Sequence, residues 1–243
     1  MRTFRLDVAY DGTAFHGWQR QPGLRTVQGE LERQLSEVLE EDVKTVGAGR
    51  TDTGVHAHGQ VASFQSATRL PARALPHRLE RGLGDDVRVT AASEAMSDFD
   101  ARRSARARRY RYRLLDAEDV LWGRFAWCPR QRFDGAALAD ATRGLEGEHD
   151  FSAFRASGGA PTSPRCHMLS IGWERWEAGW RLELAADHFL YHMVRNIVGT
   201  ALAASRTSDP HAAMRAVLES RERSRGGETA PPQGLSLEEV RYA

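Results

Sequence analysis

The order in which the hydrophobic pattern changes period constrains the fold of this chain most. Residues 3–10 (Thr-Phe-Arg-Leu-Asp-Val-Ala-Tyr) alternate in a strand-like way, and Thr26 is placed to cap a helix whose Val27, Leu31, Leu35, Val38 and Leu39 share one face. Short strands at about 43–48 and 60–65 flank a glycine-rich loop. A helix at about 71–83 opens at Pro71 and closes near Gly82, and a strand follows at about 86–94. The order is β-α-β-β-α-β.

The second half repeats that plan: a strand at 107–115, a helix after Asp134, strands at about 166–176 and 179–186, a helix at 189–204 and a last strand at 235–242. Repetition of element order predicts an α+β chain of two ferredoxin-like or RRM-like βαββαβ units, their antiparallel sheets side by side and their helices on one face. The predicted domains are 1–104, carrying the glycine-rich loop, and 105–243. A further helix at about 209–220 and the polar run Glu222-Arg-Ser-Arg-Gly-Gly-Glu228 interrupt the second copy, and the run reads as a mobile surface loop. Such units also form common RNA-binding sheets, but a plan does not set a function.

Composition excludes several classes. With 243 residues and 41% apolar content the chain has enough to bury a core. Its two cysteines, Cys128 and Cys166, are far apart, which suggests neither a disulfide framework nor a cysteine zinc site and suits a reducing cytoplasm. No apolar run reaches membrane-spanning length, so a soluble, unprocessed protein is expected. A net charge of +1 gives no case for nucleic acid from overall basicity. Locally the case is stronger, because Arg102, Arg103, Arg106, Arg108, Arg109, Arg111 and Arg113 follow one another with no acidic residue between them. This stripe reads either as a phosphate-binding surface or as a solvated face.

The densest stretch is Gly47-Ala-Gly-Arg50-Thr-Asp52-Thr-Gly54-Val-His56-Ala-His58-Gly59-Gln60. A Walker A loop would need Gly-Lys-Ser/Thr, and a dinucleotide fingerprint would need glycine where Asp52 stands. A zinc site on His56 and His58, which share a face if the strand is regular, needs further ligands; His149, His167, His188 and His192 show no such spacing. Asp52 alone reads as an Asx-turn residue or, beside Arg50, as an ionised carboxylate ready to act as nucleophile or base. If 108–113 is extended, Tyr110 and Tyr112 take one face and Arg109, Arg111 and Arg113 the other, with Tyr112 in the core.

The run from Gly47 to Ala57 resembles the signature of the tRNA pseudouridine synthase A family, whose catalytic aspartate falls on Asp52. The resemblance continues in order along nearly the whole chain. It takes in Tyr10-Asp-Gly-Thr-x-Phe-x-Gly-Trp-Gln-x-Gln21, Thr26-Val-Gln-Gly-Glu30, Arg108-Arg-Tyr-Arg-Tyr112, Gly147-Glu-His-Asp-Phe-Ser152 with Phe154-Arg155, Phe189-x-Tyr-His-Met-Val-Arg-Asn-Ile-Val-Gly199 and Thr229-Ala-Pro-x-x-Gly-Leu235. Two positions depart: Thr53 replaces the usual alanine, and Ser236 stands where an aromatic ring is common.

The resemblance implies the pseudouridine synthase fold and conversion of uridine to pseudouridine at positions 38–40 of the tRNA anticodon stem-loop. It implies Asp52 as the nucleophile, Arg195 as its partner, Tyr110 stacking on the uracil and Arg50 displacing the base. Arg108, Arg109 and His56 join the substrate contacts. Because the product is an isomer of the substrate, the reaction needs no cofactor or metal on chemical grounds. The expected assembly is a cytoplasmic homodimer bound to tRNA, not to DNA or membrane. A metal-dependent hydrolase using His56 and His58, and an RNA-binding protein without catalysis, are the competing classes.

Overall fold

The computed structural model describes residues 1–159 and 162–242. It divides into two compact units, one formed by Met1–Arg106 with the segment from Ser236 onward, the other by Ala107–Leu235. Both are α+β, with mostly antiparallel strand pairing.

The first unit contains β1 (Arg2–Tyr10), α1 (Val27–Leu39), β2 (Val46–Gly47), β3 (His56–Ser66), α2 (Leu75–Glu80) and β4 (Val87–Ala95). Its strand order is β4-β1-β3, with β2 antiparallel on the far edge of β3. Alternation in β1 buries Phe4, Leu6, Val8 and Tyr10, and Phe4 stacks on Phe64 directly across the β1–β3 pair at 5.0 Å. The same edge of β3 receives β9 (Leu235–Arg241) in parallel, His56 opposite Ser236 and Ala57 opposite Leu237.

Thr26 caps α1 as the sequence predicts, its hydroxyl accepting from the Gly29 amide at 3.3 Å. Val27, Leu31, Leu35 and Leu39 are buried on that helix, but so is Glu32, at 4% exposure. A carboxylate is buried only when its oxygens are satisfied. Glu32 accepts from the Thr45 amide at 2.9 Å, the Thr45 hydroxyl at 3.2 Å and the Gln28 amide group at 3.0 Å, and Arg20 lies 3.2 Å away. This network holds the chain just before β2 against α1. It is also why the strand expected at 43–48 is reduced to two residues, since Thr45 spends its amide on a helix side chain.

The second unit contains β5 (Ala107–Leu115), α3 (Gly135–Thr142), β6 (Gly147–Asp150), β7 (Arg165–Trp176), β8 (Gly179–Ala186), α4 (Met193–Ala204) and α5 (Pro210–Ser220). Its strand order is β5-β8-β7-β6. Asp134 and Asp209 cap α3 and α5 through their carboxylates. α4 starts at Met193, not 189, because His192 takes φ 60 and breaks the helical path. Met193, Val194, Ile197 and Val198 are buried as their spacing predicts.

The run 222–228 is not the loose loop that its polarity suggested. Arg223 Nη2 donates to Asn196 Oδ1 at 3.0 Å and to Thr229 Oγ1 at 3.1 Å, and the Gly227 amide donates to Thr200 Oγ1 at 3.0 Å. The segment passes so close to α4 that a Cβ on Gly199 would lie 1.7 Å from the Glu228 carbonyl oxygen. Fully buried Asn196 also donates to the Phe154 carbonyl at 2.8 Å and accepts from Thr229 Oγ1 at 2.7 Å. One side chain therefore ties three separated sequence motifs together. Among the described residues no helix is long and apolar enough to cross a membrane.

Replacing Glu32 by Ala leaves the buried Thr45 amide without its acceptor and Gln28 Nε2 with only the Thr45 carbonyl. The expected loss is about 3 kcal/mol in urea unfolding, on the usual scale for stranded buried donors. Glu37→Ala, on the exposed side of α1, should change stability by less than about 0.5 kcal/mol; equal effects would refute the network.

Candidate functional site

Of the predicted site residues, Arg50, Asp52 and His56 belong to the first unit, and Arg108, Arg109, Tyr110 and Arg195 to the second. Asp52 is half-buried in the connection from β2 to β3. That connection is fastened along its length. The Ala48 amide donates to the Val61 carbonyl at 2.8 Å, Gln60 Nε2 donates to the Gly49 carbonyl at 2.9 Å, and the Trp18 amide donates to the Thr51 carbonyl at 3.0 Å. The Val55 amide closes a turn onto the Asp52 carbonyl at 3.1 Å, with Gly54 in that turn at φ 78, a conformation glycine adopts freely.

Residues 10–18 brace the loop from one side. Tyr10 and Thr51 share a hydroxyl–hydroxyl hydrogen bond of 2.7 Å, and Gln60 Nε2 reaches the same phenol at 3.4 Å. Burial pushes the Tyr10 pKa far up, with Thr51 and Gln60 opposing, so the phenol stays neutral. The two backbones touch: a Cβ on Gly12 would lie 2.0 Å from the Val55 carbonyl oxygen, and one on Gly17 would lie 2.7 Å from that of Thr51. Gly17 also has φ 82. The Trp18 indole covers Gly47, where a Cβ would meet Nε1 at 2.4 Å. Sequence reasoning gave these residues no role; the cluster Tyr10-Asp-Gly-Thr with Gly17-Trp18 was the available signal.

Arg50 is exposed and has no side-chain hydrogen bond or ion pair among the described residues, so it does not pair with Asp52 two positions away. His56 is 4% exposed, and its Nδ1 accepts from the Gly12 amide at 3.0 Å, with Asp11 Oδ1 3.1 Å from the same nitrogen.

His58 is exposed, whereas His56 is buried, so the two histidines lie in different surroundings. His58 lies within a register shift, in which Val8 to Tyr10 on β1 faces Gln60 to Ala57 on β3, one residue longer. No group of three or more His, Cys, Asp or Glu among the described residues is placed to hold a metal ion.

In the second unit, strand alternation places Tyr110, Tyr112 and Leu114 on the buried face of β5, while Arg109, Arg111 and Arg113 are half-buried. The Tyr110 ring meets Phe189 edge to face at 5.0 Å. Tyr112 is core, fully buried with its hydroxyl donating to the Pro231 carbonyl at 2.8 Å. Burial raises its pKa well above the usual phenol range, and Arg195 pulls it the other way. Arg195 is half-buried and forms a reciprocal pair with Ala230: its Nε donates to the Ala230 carbonyl at 2.7 Å, and the Ala230 amide donates to its carbonyl at 3.1 Å.

The arginine stripe is less bare than it reads. Glu183 on β8 pairs with both Arg109, at 3.0 Å, and Arg111, and Asp100 lies 3.3 Å from Arg103. Arg108 donates to the Asp187 carbonyl at 2.9 Å. The carboxylate that answers Arg109 and Arg111 stands more than seventy positions away, where only strand register brings it opposite.

Residues 8–102 and 141–243 match a family model described as tRNA pseudouridine synthase. Among curated proteins, the chain is 40% identical over its whole length to the tRNA pseudouridine synthase A of Chlorobium luteolum, covering 96% of that protein. It is 39% identical to that of Thermoanaerobacter sp., with each chain fully covered, and 42% identical to that of Methylococcus capsulatus, covering 98% of this chain and 88% of the relative. The chain belongs to the tRNA pseudouridine synthase family.

Proposed function

We propose that this chain isomerises uridine to pseudouridine in the anticodon arm of tRNA, at positions 38–40, with Asp52 as its catalytic nucleophile and with no cofactor. The observation that carries the reading is a half-buried carboxylate on a loop whose backbone is fixed from both ends and braced from the side. A nucleophile gains most when its geometry is set before the substrate arrives.

The reaction breaks the C1′–N1 bond, turns the uracil and joins C1′ to C5; a proton leaves C5 and one is gained at N1. Asp52 supplies the anion that meets the electron-poor sugar or uracil carbon. The target base must leave its stack, which costs a few kcal/mol, and exposed Arg50 beside Asp52 offers a cation to take its place. The roles of Tyr110 in stacking and proton transfer, and of Arg195 as partner of the aspartate, rest on the motif match. The buried face of β5 and the fixed start of α4 support them by holding both side chains in defined positions. We place the reaction in the cytoplasm, carried out by a homodimer.

Asp52→Asn should abolish conversion of unmodified tRNA transcripts, read by base-resolved chemical mapping of pseudouridine, while tRNA affinity stays within about threefold of wild type. Conversion by Asp52→Asn at the wild-type rate would rule out the assignment. Tyr10→Phe leaves Thr51 short of its partner inside the brace. It should cost about 1–2 kcal/mol of stability and lower the single-turnover rate at saturating tRNA with little change in affinity. An unchanged rate in the destabilised variant would mean that the hydroxyl pair does not hold the loop.

A further inference from the structure

Arg155 ends the Gly147–Arg155 motif, and the mechanism above gives it no task. Its side chain is half-buried and makes no hydrogen bond or ion pair among the described residues. A guanidinium partly withdrawn from water without a partner is costly unless an anion completes it. Arg155 lines an open depression of about 530 Å³ together with Ser152, Ala156, Ser157, Gly158 and Arg223. Arg223 is held in place by Nη2 alone, through Asn196 and Thr229, so its Nε and Nη1 bond nothing among the described residues.

The nearby carboxylate is already engaged. Asp150 Oδ1 accepts from the Ser152 amide at 3.0 Å and its hydroxyl at 2.6 Å, and Oδ2 lies 3.4 Å from Arg221. The depression thus presents two guanidinium groups, one fixed and one uncommitted, with the exposed Ser157 hydroxyl between them in sequence. Tyr191, 40% exposed, accepts the Ala156 amide on its carbonyl at 3.0 Å, and its ring lies 4.0 Å from that of His192.

We infer that the Arg155–Arg223 depression is a phosphodiester-binding subsite that holds the tRNA backbone. Planar guanidinium forks match phosphate oxygens, and two of them facing one open depression suit the phosphodiester of an extended backbone. This deepens the proposed function and rests on tRNA being the substrate. Arg223 both frames the subsite and locks the 222–228 segment to α4, which gives that polar run a purpose.

The test measures tRNA affinity against salt in the Asp52→Asn protein, with and without Arg155→Ala. Arg155→Ala should weaken binding three- to tenfold and reduce the slope of log affinity against log salt by about one, and Arg155→Lys should restore the slope. Unchanged affinity and slope would overturn the subsite. So would a saturable shift of the Arg155 Nε–H resonance by millimolar inorganic phosphate combined with wild-type tRNA affinity in Arg155→Ala, since that marks a small-anion site. Wild-type protein that fails to form pseudouridine would sink the proposed activity, while a salt-slope change on Arg155→Ala would still report a backbone contact.

Discussion

The contact between two stretches of backbone, residues 10–18 and residues 51–55, is the constraint on which the rest of the first unit depends. Two chains approach this closely only where side chains are missing, and Gly12 and Gly17 supply the gaps against Val55 and Thr51. The approach leaves the Thr51 hydroxyl buried, which Tyr10 answers, and it leaves Gln60 to tie the phenol to the far side of the loop. The same segment continues into α1, because the Val27 and Gln28 amides donate to the carbonyls of Gly17 and Trp18. Asp52 is therefore attached, through few intermediates, to β1, β3 and α1. A loop rich in glycine is costly to order, and here that cost is offset by bonds spread over three elements.

The second unit solves a parallel problem with one buried amide. Asn196 is fully buried on α4 and connects the Phe154 carbonyl, Thr229 and Arg223. Its neighbour Arg195 is oriented by Ala230. Motifs some forty residues on one side and thirty on the other are thus fixed to the same helical turn. The order of these motifs along the chain has a physical basis, since each carries a partner that another leaves unsatisfied.

How much of this was legible in the sequence depends on the range of the interaction. Caps are local, so Thr26 and Asp134 were readable as helix starts, and alternation alone placed Tyr112 in the core. Family membership was legible because the motifs recur in order. What failed to show were consequences of pairing at a distance. The β1–β3 register shifts at His58, Glu32 shortens β2 by taking the Thr45 amide, and Glu183 answers arginines that look unopposed in the sequence. The run 222–228 looked free because its composition is polar. It is held because Gly199 lets it pass against α4.

The most direct measurement of the account is the single-turnover rate of Gly17→Ala on a tRNA transcript, taken with its unfolding curve and tRNA affinity. A methyl at φ 82, 2.7 Å from the Thr51 carbonyl oxygen, must push the loop that carries Asp52. The expected variant is folded, binds tRNA normally and reacts at least about tenfold more slowly, because a small misplacement of a reacting group is enough for that loss. A folded variant with the wild-type rate would contradict the claim that this brace sets the position of Asp52.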